Sequence, residues 1–79
     1  MSSLYEKLRS NLQTARKEKG WSQEKLSEEA GFSRTFVGMI ERGYSKPSLD
    51  AIDQLADTLG IDAEELVTRS STRRKKQSE

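Results

Sequence analysis

Between Ser33 and Lys46 the sequence gathers the side chains best able to act on a partner molecule. On a helical wheel, Arg34, Thr35, Gly38, Met39 and Arg42 fall on one side. Val37 and Ile40 fall on the other, with Glu41 at the edge of that apolar side. The outer side carries no acid, whereas an ordinary solvated helix mixes Lys, Glu and Gln. Such groups suit a nucleic-acid groove. An arginine at the start of a helix can donate a bidentate pair to guanine, and a threonine offers a hydroxyl to a base edge and a methyl to thymine. Gly38, in mid-helix, lowers helix propensity by roughly 1 kcal/mol relative to alanine. Close approach to DNA and tight packing on a neighbouring helix would each explain it. Met39 is placed to pack on a base, and Phe36, between the two sides, to serve either the core or the DNA. Phosphate contacts fix register without reading sequence. Gln23, at the first turn of the preceding helix, and Ser33, Arg42, Tyr44, Ser45 and Lys46 are suited to make them; ordinary solvation is the alternative for each.

These residues need a frame, and the capping signals predict one made of helices. One proline, few β-branched residues and no alternating apolar pattern argue against strands. The predicted helices cover about 3–19, 23–30, 34–42, 49–59 and 63–68. Leu4, Leu8, Leu12 and Ala15 form a stripe on the first, which Gly20 ends. Three starts share one device, an apolar residue, a cap and a second apolar residue four positions after the cap: Trp21-Ser22 with Leu26, Phe32-Ser33 with Val37, and Ile61-Asp62 with Leu66. Glu65 would complete a capping box with Asp62. Ser48 caps the fourth helix, where Leu49, Ile52, Leu55, Ala56 and Leu59 share a face opposite Asp50, Asp53 and Asp57, and Gly60 ends it. The second and third helices are joined only by Ala30-Gly31-Phe32, the spacing of a helix-turn-helix, in which the second helix enters the major groove. The expected architecture is a compact all-α five-helix bundle over residues 1–68. The segment 69–79, without an apolar side chain, is expected to be a disordered basic tail.

Charge supports an oriented surface. The net charge of +1 is a cancellation: residues 1–46 carry +3, 47–68 carry −6 and 69–79 carry +4. Neither cysteine nor histidine is present, which removes thiolate and imidazole chemistry and the usual zinc ligands. With 79 residues, no glycine-rich phosphate loop and no room for a deep pocket, the chain is not expected to be an enzyme, nor to hold a metal, cofactor or small-molecule ligand. No apolar run reaches the length of a signal peptide or a membrane span, so no membrane partner is expected.

The run Ser33-Arg34-Thr35-Phe36-Val37, continued by Ile40-Glu41-Arg42-Gly43, then Lys46-Pro47-Ser48-Leu49 and Leu59-Gly60-Ile61, resembles the phage-repressor/Cro (Xre-type) helix-turn-helix family over about residues 6–67. It is especially similar to the controller proteins of restriction–modification systems. The resemblance implies a cytoplasmic, prokaryotic or phage-encoded regulator that binds double-stranded DNA. It assigns base reading to Arg34, Thr35, Gly38 and Met39, and backbone contacts to Gln23 and Arg42. It also implies an ion pair between Arg16 and Glu41, each of which the wheels place at the edge of an apolar face. Many relatives carry Gln or Ser at the positions of Gly38 and Met39, so the operator does not carry over. Family members commonly dimerise through their C-terminal helices. Here Ile61, Leu66 and Val67 exceed what one short helix needs for its own core, which points to a homodimer through the fifth helix. Glu24 and Glu28 match the place where some phage repressors touch RNA polymerase; a solvated helix face is the alternative. The rival functions are an antitoxin with a toxin partner and a protein-interaction adaptor. The acid-free outer side of the third helix argues against the adaptor.

Overall fold

Three serines open three of the helices. In the computed structural model, which describes residues 3–68, the Ser3, Ser22 and Ser48 hydroxyls accept the backbone N–H of Glu6 (3.1 Å), Lys25 (2.9 Å) and Ala51 (3.1 Å). The Glu6 carboxylate in turn accepts the Ser3 amide, completing a capping box. The helices are α1 (Leu4–Glu18), α2 (Gln23–Glu29), α3 (Phe36–Glu41), α4 (Leu49–Leu59) and α5 (Ala63–Thr68). The basic segment 69–79 lies outside the described residues.

The helix ends share a bond pattern as well. The amides of Trp21, Phe32, Tyr44 and Ile61 each reach the carbonyl five residues back, at 3.2, 2.9, 2.9 and 3.0 Å. This closure places the preceding residue in the left-handed region. At Gly31, with φ +86°, it turns the chain from α2 toward α3 in very few residues.

α1 packs on α5 and α3, α2 on α3 and α4, and α4 on α5. Leu8, Leu12, Leu26, Val37, Ile40, Leu55 and Leu66 are all but inaccessible at the centre. Each such side chain contributes about 1.5–3 kcal/mol through burial. Three polar residues are buried with this core, Asn11, Ser27 and Arg16. The Asn11 amide donates to the carbonyls of Glu65 (3.3 Å) and Leu66 (2.9 Å), closing α5 from the side of α1. Ser27 is wholly buried; its hydroxyl donates to the Gln23 carbonyl (2.8 Å) and accepts the Val37 N–H (3.0 Å).

That last bond corrects the expected start of α3. The helix was expected to begin at Arg34 under a Ser33 cap, but it begins at Phe36, and Arg34 and Thr35 form a turn ahead of it. The orphan amide at Val37 is satisfied by Ser27, across the helix-turn-helix, so Ser33 is not needed as a cap. Phe32 correspondingly stacks on Phe36, with ring centroids 4.1 Å apart. At α5 the Glu65 carboxylate does accept the Asp62 amide (3.2 Å), while the Glu65 amide takes the Asp62 backbone carbonyl.

Two leucines expected on buried faces are exposed, Leu4 at 55% and Leu49 at 80%. Leu4 has the right angle on α1 but is the first residue of the helix and lies outside the core, while Tyr5 packs against it. Leu49 is the first residue of α4, ahead of the turns whose Ile52, Leu55, Ala56 and Leu59 reach the core.

Candidate nucleic-acid interface

A buried polar cluster fixes α3 from behind. Arg16, on α1, donates from Nε to Glu41 Oε2 (2.9 Å) and from Nη2 to Glu41 Oε1 (3.0 Å). Its Nη1 donates to the carbonyl of Trp21 (2.8 Å). Gln23 Nε2 adds a third bond to the Glu41 carboxylate, at 2.8 Å. The Arg16 and Glu41 side chains are only 9% and 5% exposed. The expected ion pair is therefore formed, bidentate and desolvated, and it joins α1, the α1–α2 turn, α2 and α3 in one unit.

In front of this cluster the expected DNA-facing residues divide into two groups. Arg34, Thr35 and Arg42 are exposed, as are Ser33, Tyr44 and Lys46, and Met39 is 38% exposed. Gly38 is buried: a methyl group added there would stand 2.9 Å from Gln23 Oε1 and 3.0 Å from Arg42 Nη1. Of the two reasons weighed for a glycine at this place, contact with a neighbouring helix is therefore present in the free protein. Phe36 and Ser45 are half-buried, and Gln23 is held by Glu41 with part of its surface still open.

Several contacts set the charges around this face. The Lys46 ammonium lies 5.4 Å from the Tyr5 ring centroid, and Lys19 and Lys25 approach Trp21 at 5.0 and 5.9 Å. A hydrogen bond from Lys25 to Glu29, reinforced by the charge of that carboxylate, raises the Lys25 pKa above its ordinary value. Arg34, expected to read bases, pairs with Glu28 across the turn, Nε to Oε2 at 3.4 Å.

Sequence reasoning missed Arg9, Ser27 and Asn11. A side chain at Gly43 would meet the Arg9 guanidinium at 3.7–3.8 Å, which places Arg9 beside the loop that carries Tyr44, Ser45 and Lys46. No helical spacing could show this, because the loop folds back on α1. Ser27 and Asn11 did leave a signal, since each is a polar residue on the apolar stripe of its helix. Among the described residues no group of carboxylates gathers closely enough to hold a metal ion, and no helix is long and apolar enough to cross a membrane.

A short α2, a tight glycine turn and an α3 with an acid-free exposed side form a helix-turn-helix, and the family model of that description (HTH_3) matches residues 12–66. The chain belongs to the helix-turn-helix family. It is 39% identical over 59 residues to an uncharacterised HTH-type transcriptional regulator, y4dJ, of Sinorhizobium fredii, a match covering 75% of this chain and 77% of that protein. The fold is similar to that of the hypothetical transcription factor NHTF from Neisseria, with a TM-score of 0.81, 36% identity, and coverage of 84% of this chain and 76% of that one. It is also similar to the restriction–modification controller protein C.AhdI from Aeromonas hydrophila, with a TM-score of 0.74, 40% identity, and coverage of 78% and 94%. The share of these curated relatives that the chain spans runs from 77% down to 34%. Phage repressors and restriction–modification controller proteins are members of this family, whose proteins are transcriptional regulators and not enzymes. This helix-turn-helix protein is a sequence-specific DNA-binding transcriptional regulator.

Proposed function

We propose that the protein acts in the cytoplasm as a homodimer on a palindromic operator, laying α3 of each protomer in the major groove. Arg34 and Thr35 would enter first and read base edges, with Met39 packing on a base and Gly38 admitting the backbone where Gln23 and Arg42 move aside. Gln23, Arg42, Tyr44, Ser45 and Lys46 would hold phosphates, with Ser33 and Phe36 at the margin of the contact. The observation that carries the reading is the exposed, acid-free side formed by Arg34, Thr35, Met39 and Arg42, braced from behind by the desolvated Arg16–Glu41 pair.

The two-fold contact is assigned to α5. Leu66 was expected to contribute to it, but its side chain is wholly consumed by the protein's own core. Ile61 and Val67 are half-buried and packed at the margin of that core, so the partner would cover these two. A contact of this symmetry sets half-sites about 34 Å apart, one turn of the duplex. A polymerase contact is assigned to Glu24 and not to Glu28, whose carboxylate already faces Arg34.

Selection of duplexes from a random pool by the full chain tests this reading. A palindromic consensus with half-sites one helical turn apart is the expected result. A pool that shows no enrichment would overturn it in favour of an adaptor role, and an asymmetric single half-site would overturn the dimer.

A further inference from the structure

Glu28 stands in the last turn of α2, and Arg34 in the turn that leads to α3. The closure at Gly31 brings them together, with Arg34 Nε 3.4 Å from Glu28 Oε2. The side chains are 72% and 55% exposed, so in the free protein the pair is solvated and contributes little to stability. Its geometry nonetheless matters to how the arginine is used. A guanidinium engaged at Nε keeps its two Nη groups free, and these form the fork that matches O6 and N7 of guanine.

We propose that Glu28 is a positioning residue that determines specificity: it holds the Nε edge of Arg34 so that the Nη end meets a guanine in preference to a phosphate. The inference rests on the assignment of Arg34 to base reading. Two physical effects act together. An exposed arginine samples many rotamers, and a carboxylate that restrains it reduces the freedom lost on binding. When DNA excludes water from the groove, the local dielectric falls and the same pair strengthens at the moment of readout. The charge of Glu28 also repels the phosphate backbone, which lowers binding to every sequence. Glu28 therefore weakens total attraction to DNA and sharpens the choice between sequences. A merely acidic surface residue would do only the first.

Glu24 supplies the control. It lies one turn earlier on α2, is exposed and carries the same charge, whereas the ion pair of Arg34 is with Glu28. The experiment measures affinity of the full chain for three duplexes. These are the selected operator, the operator changed at the base pair where Arg34→Ala loses its preference, and a random sequence. Glu28→Gln should tighten binding to the random duplex yet reduce discrimination at that base pair roughly two- to fivefold, the scale of an exposed ion pair. Glu28→Asp, which keeps the charge and shortens the reach, should lose discrimination without gaining affinity for the random duplex. Glu24→Gln should shift all three duplexes by one factor. In an Arg34→Ala background, Glu28→Gln should no longer alter discrimination. The inference is overturned if Glu28→Gln behaves as Glu24→Gln does, with one factor on every duplex. If Arg34→Ala leaves base preference intact at every position, the assignment of Arg34 fails and the inference with it. That result is distinct from the first, which leaves Arg34 as a base reader. Circular dichroism of each variant should match wild type, because every substituted side chain is exposed.

Discussion

The protein places one pair of functional groups, a guanidinium and a carboxylate, in two surroundings on either side of α3. Behind the helix, Arg16 and Glu41 are 9% and 5% exposed, doubly bonded to each other and bonded further to Trp21 and Gln23. Ahead of it, Arg34 and Glu28 are mostly solvated and meet through one contact of 3.4 Å. The chemistry is the same and the consequence is opposite. A desolvated pair whose remaining hydrogen-bonding groups are satisfied locks geometry, since losing one partner strands a buried charge. A solvated pair costs little to form or break, so its arginine remains available to an outside partner. The first fixes where the reading face sits, and the second leaves that face free to read.

The strongest way to break the comparison is Glu41→Ala. It should remove about 3–5 kcal/mol of stability in a denaturant titration, as expected for an arginine left buried without its carboxylate. A loss below about 1 kcal/mol would make the two pairs equivalent. Ser27→Ala comes next. It strands the buried Val37 amide and should cost about 1–3 kcal/mol by the same measurement, with the loss concentrated in protection of the first α3 amides from hydrogen exchange. Arg34→Ala inverts the pattern. Stability should stay within about 0.5 kcal/mol of wild type, while preference at one base pair per half-site falls by roughly 1–3 kcal/mol in competition binding. The smallest effect sharpens the contrast. A double-mutant cycle across Arg34 and Glu28 should give a stability coupling under about 1 kcal/mol that fades in about 1 M salt, where the screening length is near 3 Å. The cycle across Arg16 and Glu41 should keep most of its coupling in the same buffer.

What could be read in the sequence follows the range of the interactions involved. Ser22, Ser48 and the glycines after α1, α2 and α4 act within a few residues of themselves, so their spacing predicts those helices closely. The Arg16–Glu41 pair was also legible, through the family resemblance, and two helical wheels that each place a charge at the rim of an apolar face agree with it. Ser33 points to a local cap, whereas a tertiary acceptor, the Ser27 hydroxyl, takes the amide of a residue ten positions away. Gly38 left two explanations open, and only the packed structure puts Gln23 and Arg42 over it. The Glu28–Arg34 contact depends on the path of the turn from Gly31 to Arg34 and on two side-chain rotamers, which no spacing in the sequence specifies.

Asn11 has a consequence for how the molecule comes into being. Its amide closes α5 through carbonyls 54 and 55 residues later in the chain, and Leu66 fills the centre of the core beside Leu8 and Leu12. A ribosome adding about 5–20 residues per second needs roughly 3–11 s to make that span. Throughout the interval the part of the α1 stripe that packs on α5 stays open, so the core closes only once the fifth helix is made. A chain that ends before Leu66 would lack the side chain at the centre of its core, and with it part of the frame that holds α3.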